Sequence, residues 1–312
     1  MKEIKRVSIV GMGAMGIMYG EFFGERLGWD KVAFLGDEER VRRFAGRRIT
    51  CNGKVCPFRM EDASLPGEPA GLLIFAVKAT GLEEAIRQVK GRVDEDTVIL
   101  SVLNGISSEE IIEAQLGAGT VIHCVAKGMD AVKLGDALTY THLGTLCLGI
   151  PKGDGRREEK LAALKRVVDL FWRNGLPHEF EPDILHTLYC KWMMNVGINQ
   201  TIMVEEGTYR TVQQPGPARE MMKAAMAEVM AVAQAEGVDV TQEDLDEYVA
   251  LADTLNPDGM PSMRQDGLAG RPTEVELFAG TVIRKAKRLG VEVPVNEELY
   301  RRIKGMEREY LK

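Results

Sequence analysis

The stretch "RVSIVGMGAMG", residues 6–16, constrains this chain more than any other. Val7 to Val10 form a short apolar run, and Gly11, Gly13 and Gly16 follow in the spacing G-x-G-x-x-G. A strand that ends in that spacing and leads into a helix ("IMYGEFFGERLG") opens a dinucleotide-binding unit. Gly11 permits the tight turn, Gly13 lets backbone approach a pyrophosphate, and Gly16 lets strand and helix pack closely. Met12, Ala14 and Met15 complete the turn. The helix N-terminus offers N–H donors and the positive end of its dipole to phosphates.

More strands follow in the same manner. "KVAFLG" (31–36), "GLLIFAV" (71–77) and "TVILSVLNG" (97–105) are near-continuous apolar runs, as parallel strands covered on both faces require. Helical stretches at 83–89 and 108–116 lie among them, and further strands are expected near 120–126 and 143–149. The alternation predicts a doubly wound α/β sheet. Ligands of such sheets sit beyond the carboxyl ends of the strands, which is where Lys78 and Asn104 fall. Cofactor choice is read after the second strand. Asp37 stands there and favours a free ribose hydroxyl, so NAD(H), or else caps the next helix. Arg40, Arg42 and Arg43 follow closely and keep a 2′-phosphate in play.

Composition excludes several classes. The net charge of −7 gives no support to a nucleic-acid or anionic-membrane surface. No apolar run reaches the roughly 18 residues of a membrane span. Five cysteines without a regular framework fit reduced thiols and a cytoplasmic setting. Cys51 and Cys56 lack zinc-pair spacing, so no metal is expected.

The second half changes texture near residue 182. We expect a dinucleotide domain over 1–182 and a helical domain over 183–312, with helices at about 184–204, 217–236, 241–253, 273–289 and 296–309. In "YCKWMMNVGINQTIMV" (189–204), Lys191, Asn195 and Asn199 interrupt an apolar helix at steps of four. They stack along one side over about 12 Å. The segment 256–272 is too rich in proline and glycine for a continuous helix and is expected to be a functional loop holding Ser262. Pro272 and Glu274 are expected in the first turn of the helix after it. The methionine-rich stretch 219–237 would serve either as core or as a homodimer face.

Together "GMGAMG", "AVKAT", "LNG", "HLGTLCLG", "LYCKWMMNVGINQT" and "PSMRQDGLAGRPTEVE", in that order, resemble the ketopantoate reductase (2-dehydropantoate 2-reductase) family across nearly the whole chain. The resemblance implies an N-terminal Rossmann-type domain, a C-terminal all-helical domain and a 2-keto acid substrate bound between them. It implies that Lys191 is the catalytic lysine and that Asn195, Asn199, Ser262 and Asn104 serve the substrate. Glu274 matches the family's glutamate, and Lys78 and Asn104 lie at the cofactor. The family usually uses NADP(H), with an arginine where Asp37 stands here.

The expected reaction is hydride transfer from a nicotinamide cofactor to 2-dehydropantoate. Lys191 acts as general acid, Ser262 holds the carboxylate and Glu274 accepts from the substrate hydroxyl. Two alternatives keep the fold: another 2-keto or hydroxy acid as substrate, or a dinucleotide sensor without turnover.

Overall fold

The structure, a computed structural model, describes residues 3–311. It contains two compact units: the chain up to Leu103 with Ser107–Ile184, and Asn104–Ile106 with Leu185 onward.

The first unit is built on strands β1 (Val7–Val10), β2 (Val32–Gly36), β3 (Thr50–Cys51), β4 (Lys54–Val55), β5 (Met60–Asp62), β6 (Leu72–Phe75) and β7 (Val98–Ser101). β8 (Thr120–Lys127), β9 (Val132–Leu134), β10 (Ala137–Thr139), β11 (Thr145–Gly149) and β12 (His178–Phe180) follow. Its helices are α1 (Ala14–Leu27), α2 (Glu38–Phe44), α3 (Leu82–Val89), α4 (Ser108–Leu116) and α5 (Arg157–Asn174). Eight strands form one sheet in the order β12-β11-β8-β7-β6-β1-β2-β5. All neighbours are parallel except β8 and β11. Every residue of β1, β2, β6 and β7 is buried, as their continuous apolar sequences require. The strand order reverses between β1 and β6, and that reversal opens the crevice in which such sheets bind ligands.

A small second sheet escaped the sequence reading, as did β5 and the single-turn helix at Arg210–Gln213. That sheet, in the order β4-β3-β10-β9, forms from segments that lack sustained alternation. Its strands are only two or three residues long, too short for a periodic signal.

The second unit holds α6 (Ile184–Val204), α7 (Arg210–Gln213), α8 (Pro217–Ala235), α9 (Gln242–Thr254), α10 (Ser262–Leu268), α11 (Ala279–Leu289) and α12 (Pro294–Tyr310). Met222 and Met226 of α8 lie in this unit's own core, so the methionine-rich stretch is in large part core. Gly197 makes that packing close: a Cβ there would meet Met226 Cγ at 2.4 Å. Among the described residues no helix is long and apolar enough to cross a membrane.

Two expectations need correction. The 256–272 segment is not loop throughout, because Ser262–Leu268 closes into the short helix α10 behind Pro261. The helix expected from 273 begins only at Ala279. Residues 274–278 instead form a chain of turns, with Leu277 N and Phe278 N both donating to Glu274 O at 2.9 and 3.2 Å. Phe278 leaves helical geometry (φ −94°, ψ −102°), and Thr281 Oγ1 takes up the Glu276 carbonyl at 3.0 Å. Glu274 therefore precedes the helix and does not sit at its dipole end.

The β7–α4 connection is tied at both ends. Ser101 Oγ donates to Ser108 Oγ at 2.8 Å, and Ser108 Oγ donates to the carboxylate of Glu109 at 2.7 Å. Glu109 is fully buried, and burial pushes its carboxyl up to about 7. The folded state thus holds a proton that the unfolded chain releases near the ordinary value of 4.5. This contribution to stability is complete below that value and is lost as pH rises through about 7. Urea unfolding at several pH values between about 5 and 8 should show the wild type losing stability relative to Glu109→Gln as pH rises. Parallel pH dependence in the two proteins would remove Glu109 from that role.

Candidate active site

At the switch point of the first unit, Gly11 adopts φ +103°, and a Cβ on it would meet Ala76 O, just beyond β6, at 2.5 Å. A Cβ on Gly16 would meet Gly11 O at 2.0 Å. These two glycines are required by the close approach of turn, helix and strand. Gly13 differs: it is exposed, and the nearest atom to a Cβ there is Ala76 O at 3.8 Å. It leaves open backbone where a pyrophosphate would approach. Met12, Ala14 and Met15 pack, partly buried, against the core beneath.

Gly13 is the N-cap of α1 and provides no side-chain cap, and no acidic residue lies in the first turn. By contrast α2, α3, α4 and α5 each carry two glutamates there. Carboxylates at those N-termini offset the helix dipole, whereas α1 keeps its N–H groups and dipole end for an external anion. The residues present fit a dinucleotide.

Asp37 caps α2: its Oδ1 accepts from Arg40 N at 2.7 Å. The other carboxylate oxygen accepts from Gln88 Nε2 at 2.8 Å, and Arg40 Nη1 donates to Gln88 Oε1 at 3.1 Å. Arg42 and Arg43 pair one turn back with Glu38 and Glu39 along the exposed face of α2. A fixed carboxylate stands at the end of β2, with Arg40 Nε 3.9 Å from its Oδ2. Lys78 is exposed directly after β6, where it caps a single turn of 3₁₀ helix.

The second unit gathers other polar groups. Lys191, Asn195 and Asn199 follow one another at steps of one turn along α6. Lys191 is half-buried, and Asn195 and Asn199 are each only 7% exposed. Asn104 Nδ2 donates to Glu274 Oε2 at 3.1 Å, joining two residues 170 apart in sequence. Gly105 next to it has φ +94°, and a Cβ there would lie 3.5 Å from Leu277. Trp192 Nε1 donates to Leu277 O at 3.0 Å and fastens the 274–278 turns to α6 beside Lys191. On the other flank Glu307 accepts from Thr273 N at 2.8 Å and from Thr273 Oγ1 at 2.7 Å. The Lys304 ammonium and the Thr273 donors hold the Glu307 carboxyl below its usual range against the opposing effect of burial. Glu274 thus sits on a turn braced from both sides. Ser262 is exposed at the first position of α10.

Gln88, Trp192, Thr273 and Glu307 were not anticipated as supports. Each acts from a distant element, and only the fold brings it to its partner. The Asn-Gly dipeptide at 104–105 was the one local signal that the Asn104 turn would be special.

The family model "Ketopantoate reductase PanE/ApbA" matches residues 7–150, and "Ketopantoate reductase PanE/ApbA C terminal" matches residues 183–307. Among curated relatives, the chain is 27% identical to 2-dehydropantoate 2-reductase of Aquifex aeolicus, covering 97% of each chain. It is 25% identical to the Streptococcus pyogenes serotype M1 enzyme of that name, covering 92% of this chain and 93% of that one. Among solved structures, dimeric ketopantoate reductase from Staphylococcus aureus superimposes with TM-score 0.82 at 20% identity, covering 98% of this chain and 99% of that chain. D-mandelate dehydrogenase with NADH and anilino(oxo)acetate gives TM-score 0.85 at 24% identity over the same shares.

The crowding at Gly11 yields a direct test. Gly11→Ala should abolish saturable quenching of NADH and NADPH fluorescence by the protein, because the new Cβ collides with the Ala76 carbonyl. Undiminished binding of both dinucleotides would place the cofactor elsewhere.

Proposed function

The chain belongs to the ketopantoate reductase family of nicotinamide-dependent oxidoreductases, and from that premise we propose that it reduces 2-dehydropantoate to pantoate. The observation that carries this reading is the braced Asn104–Glu274 pair in the unit that also holds Lys191, Asn195 and Asn199. A carboxylate fixed on a rigid turn can accept a hydrogen bond from a substrate hydroxyl, the group that sets this keto acid apart from simpler ones.

A bound nicotinamide supplies the hydride. Lys191 donates to the carbonyl oxygen as negative charge develops and delivers the proton that completes the alcohol. Asn195 and Asn199, each able to donate and accept, orient Lys191 and the substrate. Ser262 binds the substrate carboxylate. Asn104 holds Glu274 in place and joins it in binding substrate and cofactor, with Lys78 on the cofactor side. Gly11, Met12, Gly13, Ala14, Met15 and Gly16 form the pyrophosphate turn.

We further propose a preference for NAD(H). Asp37 supports it, since its carboxylate is held at the end of β2 while Arg42 and Arg43 are engaged by glutamates and Arg40 by Gln88 and Asp37 itself. A second reading keeps the reaction and changes the acid. The exposure of Ser262 favours it, because a carboxylate partner left in water discriminates weakly among acids. A homodimer and a cytoplasmic location complete the proposal.

Steady-state rates with a panel of 2-keto acids and both cofactors separate these readings. We expect kcat/KM highest for 2-dehydropantoate and at least about tenfold higher with NADH than NADPH, a difference of about 1.4 kcal/mol. A larger kcat/KM for an acid lacking the hydroxyl would establish the second reading. Faster turnover with NADPH would overturn the Asp37 assignment.

Lys191→Ala should lower kcat by on the order of 100-fold or more, as loss of a general acid does. Near-normal kcat would remove it from catalysis. Glu274→Ala should act mainly through KM, and an unchanged kcat/KM would take Glu274 out of the site.

A further inference from the structure

Three ligand-bearing side chains meet where α6 faces α9, outside the groups assigned above. His186 and Cys190 stand one turn apart on α6, and Asp244 lies in the first turn of α9. His186 Nε2 is 3.0 Å from Asp244 Oδ1 and 3.5 Å from Cys190 Sγ. The three donor atoms all lie within 4.8 Å of one another. Cys190 is buried, while the side chains of His186 and Asp244 are 33% and 17% exposed.

This is not the geometry of a hydrogen-bonded nucleophile. A relay places the thiol and the carboxylate on opposite nitrogens of the imidazole. Here the carboxylate holds Nε2, and the sulfur lies against the ring, 3.5 Å from Nε2 and 4.0 Å from Nδ1. Three donor atoms gathered within 4.8 Å are instead a set that a small cation can draw together by small side-chain rotations. Zinc takes sulfur at about 2.3 Å and nitrogen or oxygen at about 2.0–2.2 Å, which sets tetrahedral ligands roughly 3.3–3.7 Å apart. The His186–Cys190 separation already falls in that range, and the His186–Asp244 separation is slightly short of it.

The carboxylate is also fixed from behind. Asp244 Oδ2 accepts from Thr241 N at 2.7 Å and from Thr241 Oγ1 at 2.8 Å, closing the capping box of α9. That box leaves Oδ1 directed at His186, and supports of this kind orient metal ligands. We propose that His186, Cys190 and Asp244 form a zinc site with three protein ligands and one open position. Occupancy clamps the start of α9 to the turn of α6 that ends at Lys191. The expectation of no metal weighed only Cys51 and Cys56, because an i, i+4 pair on a helix and an acid 54 residues later leave no sequence motif.

The full-length protein, stripped with a chelator, is titrated with zinc chloride by calorimetry and with cobalt chloride by absorption. We expect one zinc per chain, a thiolate-to-cobalt charge-transfer band, and a thermal midpoint that rises with zinc. Cys190→Ser should lose the band and weaken zinc at least about tenfold. His186→Gln, at a part-exposed position, provides a second variant whose fold is checked by circular dichroism, and it should weaken zinc similarly. Absence of the band, or zinc affinity unchanged in both variants, overturns the site. The latter result would put the metal outside this cluster.

Discussion

The second unit depends on how α6 buries a helix that carries polar groups. Gln200 is fully buried, yet its amide is fully used: Nε2 donates to Val196 O at 2.9 Å and to Asn296 Oδ1 at 3.3 Å, while Oε1 accepts from Ala279 N at 3.0 Å. Asn296, also fully buried, donates onward to Ala225 O at 3.2 Å and to Glu228 at 2.7 Å. Four helices, α6, α8, α11 and α12, are thereby locked in one register. Each of these groups would cost about 1–3 kcal/mol if left unpaired. A slip or rotation of α6 would break several at once. The network therefore fixes the rotation of α6, and with it the line on which Lys191, Asn195 and Asn199 fall.

The same rotation decides where Glu274 stands. Trp192 can reach Leu277 O only because α6 presents it there, and that bond anchors the turns that precede α11. Glu307 holds the other end through Thr273. Had the helix begun at 273, as its sequence suggested, Glu274 would be one more acid at a helix N-terminus. By delaying the helix to Ala279, the fold spends Glu274 on a turn, where Asn104 meets it. Asn104–Ile106 belong with the second unit although the chain before and after belongs with the first. The glycine conformation at Gly105 is what such a short excursion demands.

Legibility in the sequence followed the range of the interaction. Strands β1, β2, β6, β7, β8 and β11 and helices such as α6, α8 and α12 announce themselves by apolar periodicity and end within a few residues of where they were expected, whereas β5 of the large sheet was not anticipated. The glycine turn was equally legible, since Gly11 and Gly16 are required by contacts within one βαβ unit. The small sheet was not, because two-residue strands carry no period. The late start of α11 was not, because Thr273 answers to Glu307, 34 residues on. Among the site residues, spacing alone put Lys191, Asn195 and Asn199 on one line. Nothing local joined Asn104 to Glu274, and the approach of His186, Cys190 and Asp244 was equally hidden.

Asp37 illustrates why a structural and a functional account of one residue need not compete. As a cap it uses one carboxylate oxygen, on Arg40 N, a role that serine or asparagine could fill nearly as well. Its second oxygen is held by Gln88, whose own carbonyl receives Arg40. Arg40 thus divides its guanidinium, Nη1 on the Gln88 carbonyl and Nε 3.9 Å from Asp37 Oδ2, so the charge at the strand end is countered by one long ion pair only. A neutral cap would keep α2 and discard the charge. Stability and cofactor choice at this position are therefore separable: the first rests on an acceptor atom, the second on its charge.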